Sequence, residues 1–319
     1  MINDKGIRNA LLLAIVVIAA TLLTGGLNFH SDKKETWSIP AGNALFIATP
    51  CAASVTINAD PNLHGRIDII AKAHTKAQIM QLKSHGGAAA TIAGIGSHCL
   101  GQTDCTENDA VCAGQPDDPN LTLTLTVPTG IALNITESQD TEYDIGDINA
   151  PLTLNTSGDG DINAATITSL RGNLGGDGDV HIATLNGPIE ATLSKKGDLD
   201  IAAATAPTTN LTLNGDGDVN IDAGNLGALN AVLSKDGDLH LPAAQSATLM
   251  LSADGDVDLG QVAGNLTATL TGDGDLSVAN VNGDATLTST ANGDVTIPHV
   301  GGHLTQSNTG DGDFKINGG

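Results

Sequence analysis

Nine aspartates recur at one repeat position in this chain. Asp161, Asp179, Asp198, Asp218, Asp238, Asp256, Asp275, Asp294 and Asp313 each follow a glycine and precede an apolar residue. Successive copies are 18, 19, 20, 20, 18, 19, 19 and 19 residues apart. Carboxylates repeated in this way can do two kinds of chemistry. They can gather as the oxygen ligands that calcium prefers, or they can accept hydrogen bonds from backbone N–H groups of turns, as Asx turns do.

Two observations favour the turn. A second acidic column lies two residues earlier, at Asp159, Asp177, Asp216, Asp236, Asp254, Asp273 and Asp311, but Lys196 and Asn292 interrupt it, and Lys195 and Lys235 stand beside it. The calcium-binding nonapeptide Gly-Gly-x-Gly-x-Asp-x-apolar-x is not matched either. Here Gly175-Gly-Asp-Gly-Asp-Val180 has its aspartate one place early and its apolar residue next. Carboxylates about 4.8 Å apart in water repel by roughly 0.9 kcal/mol. A hydrogen bond to a charged group contributes about 1.5–3 kcal/mol, so a turn role outweighs that repulsion without metal. Calcium is the competing reading. The intervening glycine column is explained most simply by a backbone that needs positive φ.

The elements that position these aspartates follow from the period. A step near 19 residues marks a solenoid, in which no repeat buries its apolar face alone. In the coil from Gly178, Val180, Ile182 and Leu185 point inward, Asn186-Gly187 turns, and Ile189, Ala191 and Leu193 point inward again. Two short strands per coil result, and each coil lays its strands parallel on the last. At about 4.8 Å per coil, nine or ten coils make a rod roughly 45 Å long. The hexapeptide period of left-handed forms is missing. The expected fold is therefore all-β, a right-handed parallel β-helix of about 19 residues per coil with a β-rich N-terminal cap.

The chain divides into three segments. Residues 1–30 carry Lys5 and Arg8 before an apolar run from Ala10 to Leu23, followed by Thr24, Gly25 and Gly26. That pattern fits a cleaved secretory signal or a retained anchor over residues 10–27, and both place the remainder outside the cytoplasm. Residues 31–136 read as the cap. Strands are expected near 44–49, 54–58, 66–71, 121–127 and 131–135, with a turn or two of helix within 74–84. Residues 137–319 are the Gly-Asp solenoid. Cys51, Cys99, Cys105 and Cys112 all precede it. An even number in an exported chain reads as a disulfide framework of open connectivity. The spacings lack the tight pairs of a zinc site.

Composition excludes several functions. A net charge of −23 repels nucleic acid and anionic lipid, leaving the N-terminal segment as the only expected membrane contact. Only 2 % of residues are aromatic, so the core must be a narrow interior of Val, Ile, Leu and Ala. His181 and His240 share a polar outward column, and His299 and His303 flank Gly301-Gly302, so none reads as a ligand. The Asn-Leu-Thr triplets at Asn120, Asn210 and Asn265 read as strand composition. Polysaccharide-cleaving β-helices wall a groove with long loops and basic residues. Beyond Asp140 this chain has only Arg171, Lys195, Lys196, Lys235 and Lys315 as bases, so an enzyme is the least favoured reading.

Ser54-Val-Thr-Ile57, the alternating strand ending Thr126-Val-Pro128, and Ser157-Gly-Asp-Gly-Asp-Ile162 together resemble the head domains of the GIN-type autotransporter adhesin family. Across residues 36–319 that resemblance implies an exported β-helix and, by name, adhesion. The family's turn usually reads Ser-Gly-Ser-Gly-Asp-apolar, which implies a structural role for the later aspartate and freedom for the earlier one. The Cys-bearing segment 94–119 and the number of near-identical coils depart from the family. Bactofilins offer a second resemblance, in coil length. The expectation is a non-catalytic exported binding scaffold for a surface glycan or protein. A calcium-ordered solenoid and end-to-end self-association are its alternatives.

Overall fold

The computed structural model describes residues 33–49, 52–73, 76–80, 82–94 and 121–318. The four cysteines, the N-terminal segment and Asn120 lie outside them. The described chain is a β-solenoid of about ten turns with about 19 residues per turn.

Alternation builds each coil. In β13 (Val180–Asn186) and β14 (Ile189–Leu193), Val180, Ile182, Leu185, Ile189, Ala191 and Leu193 are buried while His181 and Glu190 are exposed. The period of two puts every second side chain inside, and the next coil completes the enclosure. One stack of strands runs from β9 (Glu142–Ile145) through β11 (Ile162–Ile167) and β13 to β15 (Leu199–Leu213) and onward. The other runs from β8 (Ala132–Glu137) through β10 (Pro151–Thr156), β12 (Ser169–Leu174) and β14 to the far half of β15. Both continue to β25 (Leu304–Asn308) and β26 (Phe314–Gly318), the latter with a register shift between Ile297 and Val300 of the preceding coil. Tyr143 is the only aromatic side chain among the buried residues described. Leucine, isoleucine, valine and alanine supply nearly all the rest.

The N-terminal strands join the same two stacks, but out of chain order. β2 (Ala44–Ala48) and β3 (Ala52–Asp60) form a coil that lies parallel on β8 and β9. The later strands β6 (Ala89–Gly94) and β7 (Leu121–Pro128) cover the opposite side of that coil. The parallel stack then stops, because β4 (Arg66–Ala73) pairs antiparallel with β7 and β5 (Leu82–His85) antiparallel with β6. β1 (Lys33–Pro40) closes the cap antiparallel on β4. Its exposed Lys33, Lys34 and Pro40 suit an edge that must not recruit further strands. The short helix α1 (Lys76–Met80) drops Ile79 into the core.

At the other end the inward positions turn polar. Gln306 and Asn308 of β25 continue the columns of Leu287 and Ser289, and Asn308 bonds the carbonyl of Gly312 and the N–H of Gly310. Phe314 and Ile316 are half-buried there.

Candidate functional site

The aspartates of the fully occupied column form a ladder that runs along the rod. The backbone N–H of each donates to the carboxylate Oδ1 of the aspartate one coil earlier, from Asp179 on Asp161 to Asp313 on Asp294, at 2.7–3.0 Å. The carbonyl of each also accepts from the coil before, as when the Val180 N–H reaches Asp198 at 2.9 Å. These aspartates therefore do serve backbone N–H groups. The partner is the neighbouring coil, however, and not the aspartate's own turn as an Asx turn would require. The earlier column is looser, with bonds of 3.1–3.4 Å at Lys196, Asn292 and Asp311.

The glycine between the columns has a reason other than the expected positive φ. Among the described glycines, positive φ occurs at Gly65, Gly87, Gly130, Gly187 and Gly224, none of them in a Gly-Asp pair. Instead, a Cβ on Gly217 would be driven into the carbonyl oxygen of Gly197 below it, and one on Gly197 into that of Gly178. Glycine permits the close backbone approach that brings each aspartate N–H onto the carboxylate beneath.

The ladder's charge is handled locally. Asp198 has its pKa raised, first by burial and then by the charges of Asp179, Asp218 and Asp200 against its bond from Asp218. Asp294 has its pKa lowered, chiefly by the Asp313 N–H and then by Lys315. Among the described residues no group of three His, Asp or Glu converges to hold a metal ion.

The strand face beside the ladder carries a shallow groove of about 450 Å³. Its floor is Ala165, Ala183 and Ala202, and its rim includes Asp144, Asn163, His181, Asp200 and Asp222. Register stacks Asp144, Asn163, His181, Asp200 and Asn220 in one outward column. Asp200 joins its neighbours, taking the Asn220 amide at 3.0 Å on Oδ1 and lying 3.0 Å from His181 Nδ1 through Oδ2. Small side chains in consecutive coils hollow out the face, and fixed acceptors line the hollow. Such an arrangement can bind a hydroxyl-rich or cationic ligand. His181 and His240 both lie on the surface as the sequence suggests, and His240 meets Asp258 at 3.4 Å.

Three features escape the repeat pattern. Glu137 is 2 % exposed and occupies the inward column that Thr156 and Leu174 continue. Its carboxylate takes the N–H groups of Gln139 at 2.7 Å and Gly158 at 3.1 Å. Burial raises its pKa despite those bonds. Beside it, the buried Tyr143 hydroxyl lies 3.2 Å from Thr49 Oγ1, and its pKa is pushed up to about 12 by burial. Thr141 donates to the carbonyls of Ala52 and Thr49, so this cluster ties the first regular coil to the cap. Alternation from Leu133 and Ile135 could have placed Glu137 inside.

A shorter ladder at the other corner joins Asp284 N–H to Asn265 Oδ1 and His303 N–H to Asp284 Oδ1. Asn265 therefore sits at a turn before its strand, whereas Asn210 lies within β15 and accepts from Asn230. Thr209, buried in β15, has a hydroxyl without a hydrogen-bond partner.

No protein-family model matches the chain, and a search of curated proteins finds no relative. Solved structures similar to it include a protein of Parabacteroides distasonis described as a "putative adhesin". The two are 12 % identical over 90 % of this chain and 97 % of that one, with a TM-score of 0.43. Another of that description, from Bacteroides fragilis, is 16 % identical over 90 % and 97 %, with a TM-score of 0.34. A third, also of P. distasonis and described as a "putative lipid binding protein", is 12 % identical over 89 % and 97 %, with a TM-score of 0.41. Overlap at this level says nothing of a shared ligand.

Proposed function

We propose that this is a non-catalytic, exported binding scaffold, adhesin-like in the manner of the GIN-type head domains, which presents the grooved strand face of the rod to a glycan or protein at the cell envelope. The groove over Ala165, Ala183 and Ala202 carries this reading, because it is a depression on the outward face with acceptors held in register along it. Support for a non-catalytic role comes from the carboxylates with raised pKa among the described residues. Glu137 is sealed in the core and Asp198 is engaged by a backbone N–H, so neither is poised as an acid over the groove. Export, with residues 10–27 as signal or anchor and with paired cysteines, belongs to the same reading.

The test is a glycan array together with binding to whole cells and envelope fractions. Wild-type protein is expected to bind, and Ala183→Arg, which fills the groove, to lose most of that binding. Wild type at background on every surface would end the adhesin reading.

A second reading is end-to-end assembly. Among the described residues β25 and β26 have a strand on one side only, beside half-buried Phe314 and Ile316. Sedimentation velocity at rising concentration is expected to show a larger species if that edge recruits a second copy. A single monomer boundary throughout would exclude it.

A further inference from the structure

The acidity of this chain is unevenly distributed. Between residues 121 and 318 there are 26 acidic residues against five basic ones. Between residues 33 and 94 the balance reverses, with Lys33, Lys34, Arg66, Lys72, Lys76 and Lys83 against Glu35, Asp60 and Asp68. The reversal coincides with the architecture, since these cations decorate the antiparallel cap at one end of a rod whose shaft is anionic.

The cationic end also carries an exposed amphipathic surface. An open cleft of about 650 Å³ runs between β1, α1, β5 and β6. Trp37, Ile79, Met80 and Leu82 give it an apolar floor, and Lys76 and Lys83 flank it. Met80 is 69 % exposed. Trp37 is half-buried and turns its indole N–H to Ser84 Oγ at 2.7 Å, leaving the ring to the cleft. Lys76 is only partly neutralised, by Glu35 at 3.2 Å on a solvent-exposed pair. On the outer face of the same sheet, Lys34 stands opposite Lys72 in register, a like-charged pair with no structural benefit to the strands.

We propose that the cap docks on an anionic lipid bilayer surface, with Trp37 and Met80 at the headgroup level and the lysines against lipid phosphates, so that the acidic shaft is repelled outward. An indole with an apolar body and a polar edge suits the membrane interface. Each lysine close to an anionic leaflet contributes about a fivefold gain, the equivalent of about 1 kcal/mol. Net charge of the whole chain hides this, because the shaft outweighs the cap. Chain order agrees, since only five residues separate Leu27, the end of the expected signal or anchor over residues 10–27, from Lys33 at the start of β1. This goes beyond the proposed groove function, which concerns the opposite sign of charge and a different part of the rod.

Trp37 is the chain's single tryptophan, so its fluorescence reads this cleft alone, whatever residues 10–27 do. The full chain is reconstituted in vesicles of phosphatidylcholine and in vesicles also containing phosphatidylglycerol. Docking predicts a blue-shifted Trp37 emission, quenched by brominated acyl chains, only in the anionic vesicles. It predicts reversal in roughly 0.5 M salt, where the screening length is about 4 Å. In the double variant Lys76→Gln, Lys83→Gln the docked-to-undocked ratio should fall roughly 30-fold, with the far-ultraviolet circular dichroism unchanged. Identical emission in both vesicles overturns the proposal, as does a shift that survives both salt and the double variant. So does an equal shift with inorganic phosphate or a soluble acidic polysaccharide, which would assign the cleft to a free anion. A concentration-dependent shift without lipid overturns it as well, by assigning the cleft to a second copy's shaft.

Discussion

The backbone N–H of Asp218 donates to the carboxylate of Asp198, one coil earlier, at 2.8 Å. The two residues are 20 positions apart in sequence and adjacent in space, and the same relation repeats along the rod. Its consequence is that one side chain in each coil holds the next coil's backbone. Asp198→Ala removes the acceptor and leaves the Asp218 N–H to the neighbouring solvent. With the site half-exposed, a loss of about 1–2 kcal/mol is expected in urea denaturation. Asp216→Ala in the looser column should stay within about 0.5 kcal/mol of wild type. Equal losses at both positions would refute the distinction between the columns.

Calcium removal follows from the same geometry. One oxygen of each ladder carboxylate from Asp161 to Asp294 is committed to a backbone N–H, so the turns are served by protein groups. The melting temperature by circular dichroism is expected to be the same in excess EDTA and in millimolar calcium. A rise of several degrees with calcium would show that the remaining carboxylate oxygens bind the ion and stabilise the native state by mass action.

The glycine column gives a sharper test. Gly217→Ala would place a methyl group against the Gly197 carbonyl, which cannot move without breaking the stacking of two coils. Overpacking against backbone is expected to cost about 3 kcal/mol, although strand propensity alone favours alanine over glycine. A loss under about 1 kcal/mol, or a gain of the size Gly→Ala gives at unstrained sites, would mean that the coils can separate locally. Soluble expression yield and the urea midpoint both report it.

The period of the Gly-Asp pairs was enough to read the stacking, the two strands per coil and the inward columns, because each rests on local alternation repeated many times. The ladder's partner was not legible. An aspartate within its own turn and one bonded to the next coil have the same sequence spacing, and only the tertiary register separates them. The glycines were misread for the same reason, since close inter-coil contact leaves no mark in a single repeat. The cap is the other gap. The strands near 44–49, 54–58, 66–71 and 121–127 were recognisable, but β1, β5 and β6 were not, and placing β2 and β3 between β6–β7 and β8–β9 depends on long-range pairing that no local pattern encodes. The groove was legible only as aligned polar columns, because its floor is made of ordinary alanines.

Thr209 offers a stabilising change. It stands where Ile189 and Leu229 precede and follow it in the same inward column, and its hydroxyl is buried without a partner. Thr209→Val keeps the shape and removes the unsatisfied group, so a gain of about 1 kcal/mol in the urea midpoint analysis is expected. A loss instead would show that the hydroxyl is served by a buried water.

Glu137 sets a pH dependence whose sign is fixed by its environment. Burial raises its pKa in the folded protein above the ordinary 4.5. The folded state therefore holds this proton more tightly than the unfolded chain does. The stabilisation from its protonated form is complete below pH 4.5 and is lost as pH rises through the folded value. Most other carboxylates also titrate in this range, so the comparison must isolate one residue. Glu137→Gln keeps the side-chain shape and an oxygen that can accept from Gln139, but cannot ionise. The wild-type melting temperature minus that of the variant is expected to fall as pH goes from 4 to 7. A difference that stays flat, or rises, would mean that the N–H groups of Gln139 and Gly158 hold the carboxylate ionised despite its burial.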